Sequence, residues 1–374
     1  MPAESKPYSS RLLVRRDNLS QLHFEHPCAD AEAALQPGQA RLRIERFALT
    51  ANNITYAAFG ESMRYWQFFP APEGWGCIPA WGFATVSESR ADGVVAGDCV
   101  YGYLPMATHL VVQPQSVHAD GFTDGAAQRQ PLAPIYNRYR RSPRESTEAQ
   151  GVHAVLRPLF TTAFLIDHFL NEHQAFAASA LLLSSASSKT AFSTAYCLAR
   201  RPQRSSRIVG LTSPGNAGFA RSLGCYDEVL DYAGWRTAIG PDTAAVYIDF
   251  SGDAALRRQV HEHFGPSLAY SCSVGGTHWQ ALGSGADLAG PKPTLFFAPA
   301  HAQRLGAPPP DGYGRAGLMQ RIDAAWAAFM LPVMDPAAPW LRIEQGHGED
   351  AVRAVYEQVL QGRSDPRSGQ MLAL

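Results

Sequence analysis

The sequence predicts an α/β chain in two parts, a partly closed β-barrel followed by a doubly wound parallel sheet. Three observations predict it. Short runs of alternating apolar and polar residues, parted by turn residues, fill roughly the first 150 positions. From about Gly151 the period changes, and short apolar runs alternate with helical stretches. The chain has 374 residues, more than one ordinary domain and enough for two.

Taken in order, Arg41–Leu49 alternates around Leu42, Ile44 and Phe47, and Trp81–Ser87 and Cys99–Tyr103 are further short strands. Pro37-Gly38, Asp92-Gly93 and Gly97-Asp98 punctuate them. Asn137–Gln150 is polar and charge-dense and reads as a loop or inserted excursion. Leu156–Asn171 is apolar on most faces and reads as a buried helix. Strands are then expected at Ala180–Leu183, Arg207–Leu211, Ala244–Phe250 and Leu268–Val274, with helices at Ala191–Arg200, Asn216–Leu223 and Ala254–Phe264. After Pro332 come a candidate strand at Trp340–Ile343, a helix at Glu349–Gln361 and a terminal apolar stretch, Met371–Leu374.

Composition narrows the function. At 46% hydrophobic and 17% charged, the chain can bury a large core and is not disordered. With 32 basic and 33 acidic residues, its net charge of −1 offers no global field to nucleic acid or an anionic membrane. The apolar run around Ala175–Leu183 is far short of the ~20 residues a bilayer needs. Met1–Arg16 has no apolar core of the secretory kind, so a cytoplasmic protein is expected. The six cysteines are scattered with no CxxC pair, which argues against a disulfide framework or a zinc ribbon.

Several stretches resemble the medium-chain dehydrogenase/reductase superfamily, and most of all its zinc-free quinone and enoyl reductase branch, as an uncharacterised bacterial subfamily. RIVGLTSPGNAGFARSLGCYDEVLDY (207–232) is similar to that family's strand, nucleotide-facing turn and helix, and ALLLSSASSKTAFSTAYCLA (180–199) falls where its first βα unit stands. VYIDFSGDAAL and YSCSVGG match later strands; RIERFALTANNITYAAFG, GVVAGDCVYGY and THLVV resemble barrel strands. The resemblance implies a GroES-like partly closed β-barrel domain from residues 1–155 and 335–374, and a Rossmann-type nucleotide-binding domain from 156–334. It also implies an active site in the cleft between them.

A dinucleotide-binding turn needs small residues for a tight bend, for backbone approach to the pyrophosphate, and for helix packing. The three fingerprint positions here are Ala186, Ser188 and Ala191, so the spacing is kept and every glycine is gone. Lys189 and Thr190 follow at the expected helix start, where amides and dipole favour an anion. Ser185, Ala186, Ser187, Ser188, Lys189 and Thr190 are the candidate pyrophosphate residues; the same serines and threonine also suit a plain helix cap. The second strand ends in Thr212 and Ser213 with no carboxylate, and Asn216 follows. That pattern favours NADP(H) over NAD(H), with Thr212, Ser213 and Asn216 as 2′-phosphate donors. Gly275 and Gly276 would let backbone approach the nicotinamide.

The superfamily's alcohol dehydrogenases hold zinc through cysteine and a His-Glu pair. Here those regions read Ala51-Asn52-Asn53 and Ala80-Trp81-Gly82, and the histidines are scattered, so no metal is expected. The expected activity is hydride transfer to an activated alkene, enoyl thioester or quinone, with hydrogen bonds stabilising the developing oxyanion. Candidate catalytic residues are Asn53, which matches the family's asparagine, Tyr56 by spacing, Thr162 in LFTTAF, and Tyr139 as a proton source. Tyr139 and Tyr136 also suit a loop surface. The aromatics between Tyr56 and Trp81 are either the wall of an apolar substrate pocket or a barrel plug. If they are a wall, the expected partner is a small-molecule substrate that is bulky and apolar or aromatic. A homodimer would pair through Pro293–Ala298, a run that a buried core strand explains equally well. Two other readings stay open on this fold: redox-free lyase or hydrolase chemistry, and a non-catalytic nucleotide-binding protein.

Overall fold

The computed structural model describes residues 9–142, 146–275 and 287–374. It divides into two compact units, one comprising the described residues of Met1–Val155 with Ile343–Ser364 and Ser368–Leu374, the other Leu156–Arg342 with Asp365–Arg367.

In the first unit the chain order is β1 (Arg11–Arg15), β2 (Leu22–Glu25), α1 (Ala29–Glu32), β3 (Ala40–Leu49), α2 (Ala51–Ala58), β4 (Trp75–Gly76), β5 (Pro79–Ser89), β6 (Cys99–Pro105), β7 (His109–Val112), β8 (Pro114–His118), β9 (Gly121–Asp124) and β10 (Arg138–Arg141). The helix α3 (Thr147–Glu172) leads into the second unit. The chain returns to the first with β17 (Arg342–His347), α10 (Gly348–Leu360) and β18 (Ser368–Ala373). The main sheet runs β17-β18-β3-β5-β6-β10-β9-β8, with β7 also on β3. Strand β3 is its spine, since apolar partners meet on both sides, Val86 of β5 and Leu110 of β7 flanking Leu42. Among the described residues the order does not close on itself, so the barrel is partial.

The expected loop Asn137–Gln150 is corrected. Arg138–Arg141 forms β10 between β6 and β9, and α3 starts at Thr147. A four-residue strand with three arginines and one inward apolar side chain, Tyr139, is too short for its alternation to show.

This unit is organised around a buried guanidinium. Arg129 and Asp124 are each 1% exposed and lie 2.9 Å apart. Arg129 also donates to the Tyr139 hydroxyl (2.8 Å), the Asn137 side chain (3.1 Å) and the Tyr136 carbonyl (2.6 Å). Phe68, Phe69 and Tyr139 present ring faces to it at 5.3–5.6 Å. Tyr65, Phe68 and Phe69 are buried and pack with Tyr56, Tyr103 and Tyr136, and Trp66 is buried against Gly60 and Gly76. Of the two readings of the aromatic segment, these four residues follow the plug. Replacing Arg129 by methionine strands the Asp124 carboxylate, and urea unfolding is expected to lose about 3–5 kcal/mol. The double variant Arg129→Met/Asp124→Asn recovers part of that loss.

The second unit runs β11 (Ala180–Leu183), α4 (Lys189–Ala199), β12 (Arg207–Thr212), α5 (Pro214–Ser222), β13 (Glu228–Asp231), α6 (Trp235–Ala238), β14 (Ala245–Asp249), α7 (Ala254–Phe264), β15 (Leu268–Ser273), β16 (Thr294–Leu295), α8 (Ala298–Leu305) and α9 (Gly314–Val333). Its six strands are all parallel, in the order β13-β12-β11-β14-β15-β16. The inner strands read as continuous apolar runs because helices cover such a sheet on both faces. The run Pro293–Ala298 contributes the two-residue strand β16 at the edge of the described sheet and the first residue of α8, with Leu295 half exposed. Among the described residues, no helix is long and apolar enough to cross a membrane.

Candidate functional site

The strand order reverses direction between β11 and β14, and ligands of open parallel sheets bind outside the carboxyl ends of the strands at such a point. The loop there is Ser184–Ser188, which opens helix α4.

One buried carboxylate shapes it. Asp249 ends β14 and is 1% exposed. Its Oδ1 accepts from Ser184 Oγ (3.0 Å), Ser251 Oγ (2.8 Å) and the amides of Ser251 and Gly252. Its Oδ2 accepts from Arg257 Nε at 3.0 Å. Ser184 Oγ in turn accepts from the amides of Phe250 and Ser251. The turns after β11 and β14 are thereby one hydrogen-bonded piece.

The fingerprint residues take separate roles. Ala186 is buried with its methyl among Ala217, Ala220 and Val229, facing Gly210 of β12. Ser188 caps α4 by accepting from the Ala191 amide (3.4 Å). Ser185 holds a left-handed φ of 51°, and its amide donates to the Tyr232 hydroxyl at 3.1 Å. Lys189, in the first turn, donates from Nζ to the Pro366 carbonyl at 3.3 Å, and Thr190 is half-buried beside it. The leading amides of α4 have no acceptor within the helix, so its N-terminus presents their partial positive charge beside the loop.

At the end of β12 the assignments need one correction. Thr212 is buried and donates to Ser187 Oγ (3.4 Å), itself 6% exposed, so this pair braces the turn and does not present donors outward. Ser213 is the N-cap of α5 with no side-chain capping bond, and Asn216 is half-buried in the first turn. Asp231, the nearest strand-end carboxylate, is turned back on the amides of Ala233 and Gly234. Arg221 donates to the Val229 carbonyl. Gly275 lies so close to β14 that a Cβ would stand 2.9 Å from the Phe250 carbonyl oxygen. Gly276 lies outside the described residues.

The catalytic candidates divide between the units. Thr162, in the second, back-bonds to the Pro158 carbonyl (3.3 Å) and is half-buried. In the first, Asn53 is a structural brace: its side chain accepts from the Thr50 amide (2.7 Å) in a capping box and donates to the Pro79 carbonyl (2.8 Å). Tyr56 is buried, its hydroxyl 3.4 Å from Trp81 Nε1, and burial pushes its titration upward. Tyr139 is 0% exposed, donates to the Tyr103 carbonyl (2.7 Å) and accepts from Arg129. Burial pushes it up to about 12, so it stays a neutral, fully bonded phenol. The alternative reading of Tyr139 as a loop-surface aromatic is corrected accordingly.

Sequence reading gave no role to Asp249, Arg257 or Tyr232. The only signal for the first is a carboxylate closing an otherwise apolar strand.

The family model described as "Protein of unknown function (DUF2855)" matches residues 47–365. The chain belongs to that family. No curated protein matches it by sequence. Solved structures align over nearly the whole length. CurA from Vibrio vulnificus in complex with NADPH is 14% identical over 97% of this chain and 98% of its own, with a TM-score of 0.59. CurK enoyl reductase is 13% identical over 98% and 99%, with a TM-score of 0.55. The quinone oxidoreductase from Coxiella burnetii is 12% identical over 98% and 99%, with a TM-score of 0.52. These likenesses show the fold alone, a GroES-like part with a Rossmann part.

Replacing Ser184 by alanine takes the Ser184 bond from the Phe250 amide and removes one bond each from Asp249 and the Ser251 amide, which keep others. Thermal or urea unfolding of that variant is expected to lose about 1–3 kcal/mol.

Proposed function

We propose that this protein is an NADP(H)-dependent reductase of an activated alkene, an enoyl thioester or a quinone. The observation that carries the reading is the parallel sheet whose switch point lies at Ser184–Ser188, against the N-terminus of α4. The fold neighbours include a CurA structure with NADPH, an enoyl reductase and a quinone oxidoreductase.

The residues fit a dinucleotide. The α4 amides with Ser188, Lys189 and Thr190 suit the pyrophosphate, and Ser213 and Asn216 at the start of α5 suit a 2′-phosphate. The inward Ala186 methyl leaves the outer side of the loop to backbone and hydroxyls. The close approach of Gly275 to Phe250 matches a strand end that admits no side chain. When bound, the nicotinamide supplies a hydride. Tyr56, in the first unit, remains the candidate to hydrogen-bond a substrate oxygen, with Asn53 bracing the start of its helix; Thr162, in the second, remains a candidate close to the nicotinamide. The proposal requires no Lewis acid at Ala51-Asn52-Asn53 or Ala80-Trp81-Gly82, where the resemblance would place zinc ligands.

Calorimetric titration with NADPH and with NADH tests it. NADPH is expected to bind at least roughly tenfold more tightly, because no carboxylate stands where the 2′-phosphate would lie. No heat with either cofactor, together with an unshifted melting temperature, would sink the proposal. Placing a carboxylate there with Ser213→Asp is expected to weaken NADPH roughly tenfold and to leave NADH unchanged.

A further inference from the structure

Away from the nucleotide loop, the end of α3 meets α8. His168 and Glu172 stand one turn apart on α3, and α8 brings His301 against them. His168 Nδ1 lies 3.4 Å from Glu172 Oε2, and His301 Nε2 lies 3.8 Å from the same oxygen. The His301 side chain is only 9% exposed. His168 Nδ1 and His301 Nε2 are both buried, and among the described residues neither has a partner beyond the Glu172 carboxylate. Buried polar atoms of this kind are uncommon and call for a partner.

We propose that His168 Nδ1, Glu172 Oε2 and His301 Nε2 are the ligands of a divalent transition-metal ion of the Zn2+ class. The three donor atoms lie within 4.8 Å of one another. Bonds of about 2.0–2.1 Å in a tetrahedral site put donors roughly 3.3 Å apart, close to the two spacings observed. Two imidazoles and one carboxylate suit zinc, cobalt or nickel and not the all-oxygen shells of magnesium or calcium. His168 Nε2 lies 2.9 Å from the Tyr313 hydroxyl, a bond that can hold the ring proton on the far nitrogen and free Nδ1 to ligate. Arg304, half exposed, sits 2.5 Å from Glu172 Oε2 and 3.4 Å from His301 Nδ1. A carboxylate has room for a guanidinium and an ion together, but Arg304 must turn away from Nδ1 when that nitrogen takes the proton. The bound ion would clamp α8 to the end of α3. This inference does not depend on the dinucleotide reading.

The test is calorimetry of the untagged full-length protein with ZnCl2, and visible spectroscopy with CoCl2. One ion per chain at about 10 μM or tighter is expected, with the strong d–d absorption of low-coordinate cobalt. Glu172→Gln and His301→Ala should each weaken binding by at least about tenfold. His173→Gln, whose ring is bonded to the Phe169 carbonyl, should bind like the wild type. Metal-free melting temperatures separate loss of the site from loss of the fold; if one variant fails to fold, the other and the cobalt spectrum decide. Absence of one-to-one binding, unaltered binding by both ligand variants, or the weak spectrum of six-coordinate cobalt would overturn the proposal and leave a His–Glu–Arg ion cluster.

Discussion

The Asp249 carboxylate is the constraint on which the parallel-sheet half depends. It sits where two parallel strands end, in a place that water does not reach, so its charge must be met from inside. Arg257 meets it from α7, and hydroxyls and amides from two successive turns complete the shell. The carboxylate therefore fixes the relative height of the loops after β11 and β14. A binding loop gains precision when its support is rigid, because a ligand then does not have to order it.

The barrel half uses the same device with the sign reversed. There a guanidinium is buried, and a carboxylate, a phenol, an amide oxygen and a carbonyl surround it. Arg129 was unremarkable in sequence, one arginine among many in a polar-looking stretch. Its fork of donors joins the end of β9 to the Tyr136–Tyr139 segment, and the rings of Phe68 and Phe69 close over it. The phenol of Tyr139 and the side chain of Asn53 thus serve the architecture, even though residue type alone favours them for chemistry.

What the sequence revealed follows from how far each signal extends along the chain. The strands Ala180–Leu183 and Arg207–Thr212 and the helix Ala254–Phe264 were legible because each is an apolar run or period unbroken over its own length. The strand Arg138–Arg141 was not, since its single inward residue sets no pattern. Candidate site residues stand out only where local spacing marks them, as at Ala186-x-Ser188-x-x-Ala191. The Asp249–Arg257 pair, the Thr212–Ser187 brace and the meeting of His168 with His301 depend on which elements pack together. No periodicity within one segment records that.

The glycine-free turn shows how such packing can rewrite a motif. A glycine at the first fingerprint position normally lets strand, turn and helix approach. Here Ala186 fills that position, and the missing hydrogen reappears across the sheet, where a Cβ on Gly210 would come within 2.8 Å of the Ala186 methyl. Ser188 needs no glycine, because its φ of −72° is open to any L-residue. The left-handed conformation falls instead on Ser185, at a cost of roughly 1–2 kcal/mol, and the bond from its amide to Tyr232 offsets part of that strain. The turn therefore keeps its shape by moving one glycine to the neighbouring strand and one strained residue back along the loop. Its outer side retains the features an anion recognises, the amides of a helix start with serine, threonine and lysine beside them.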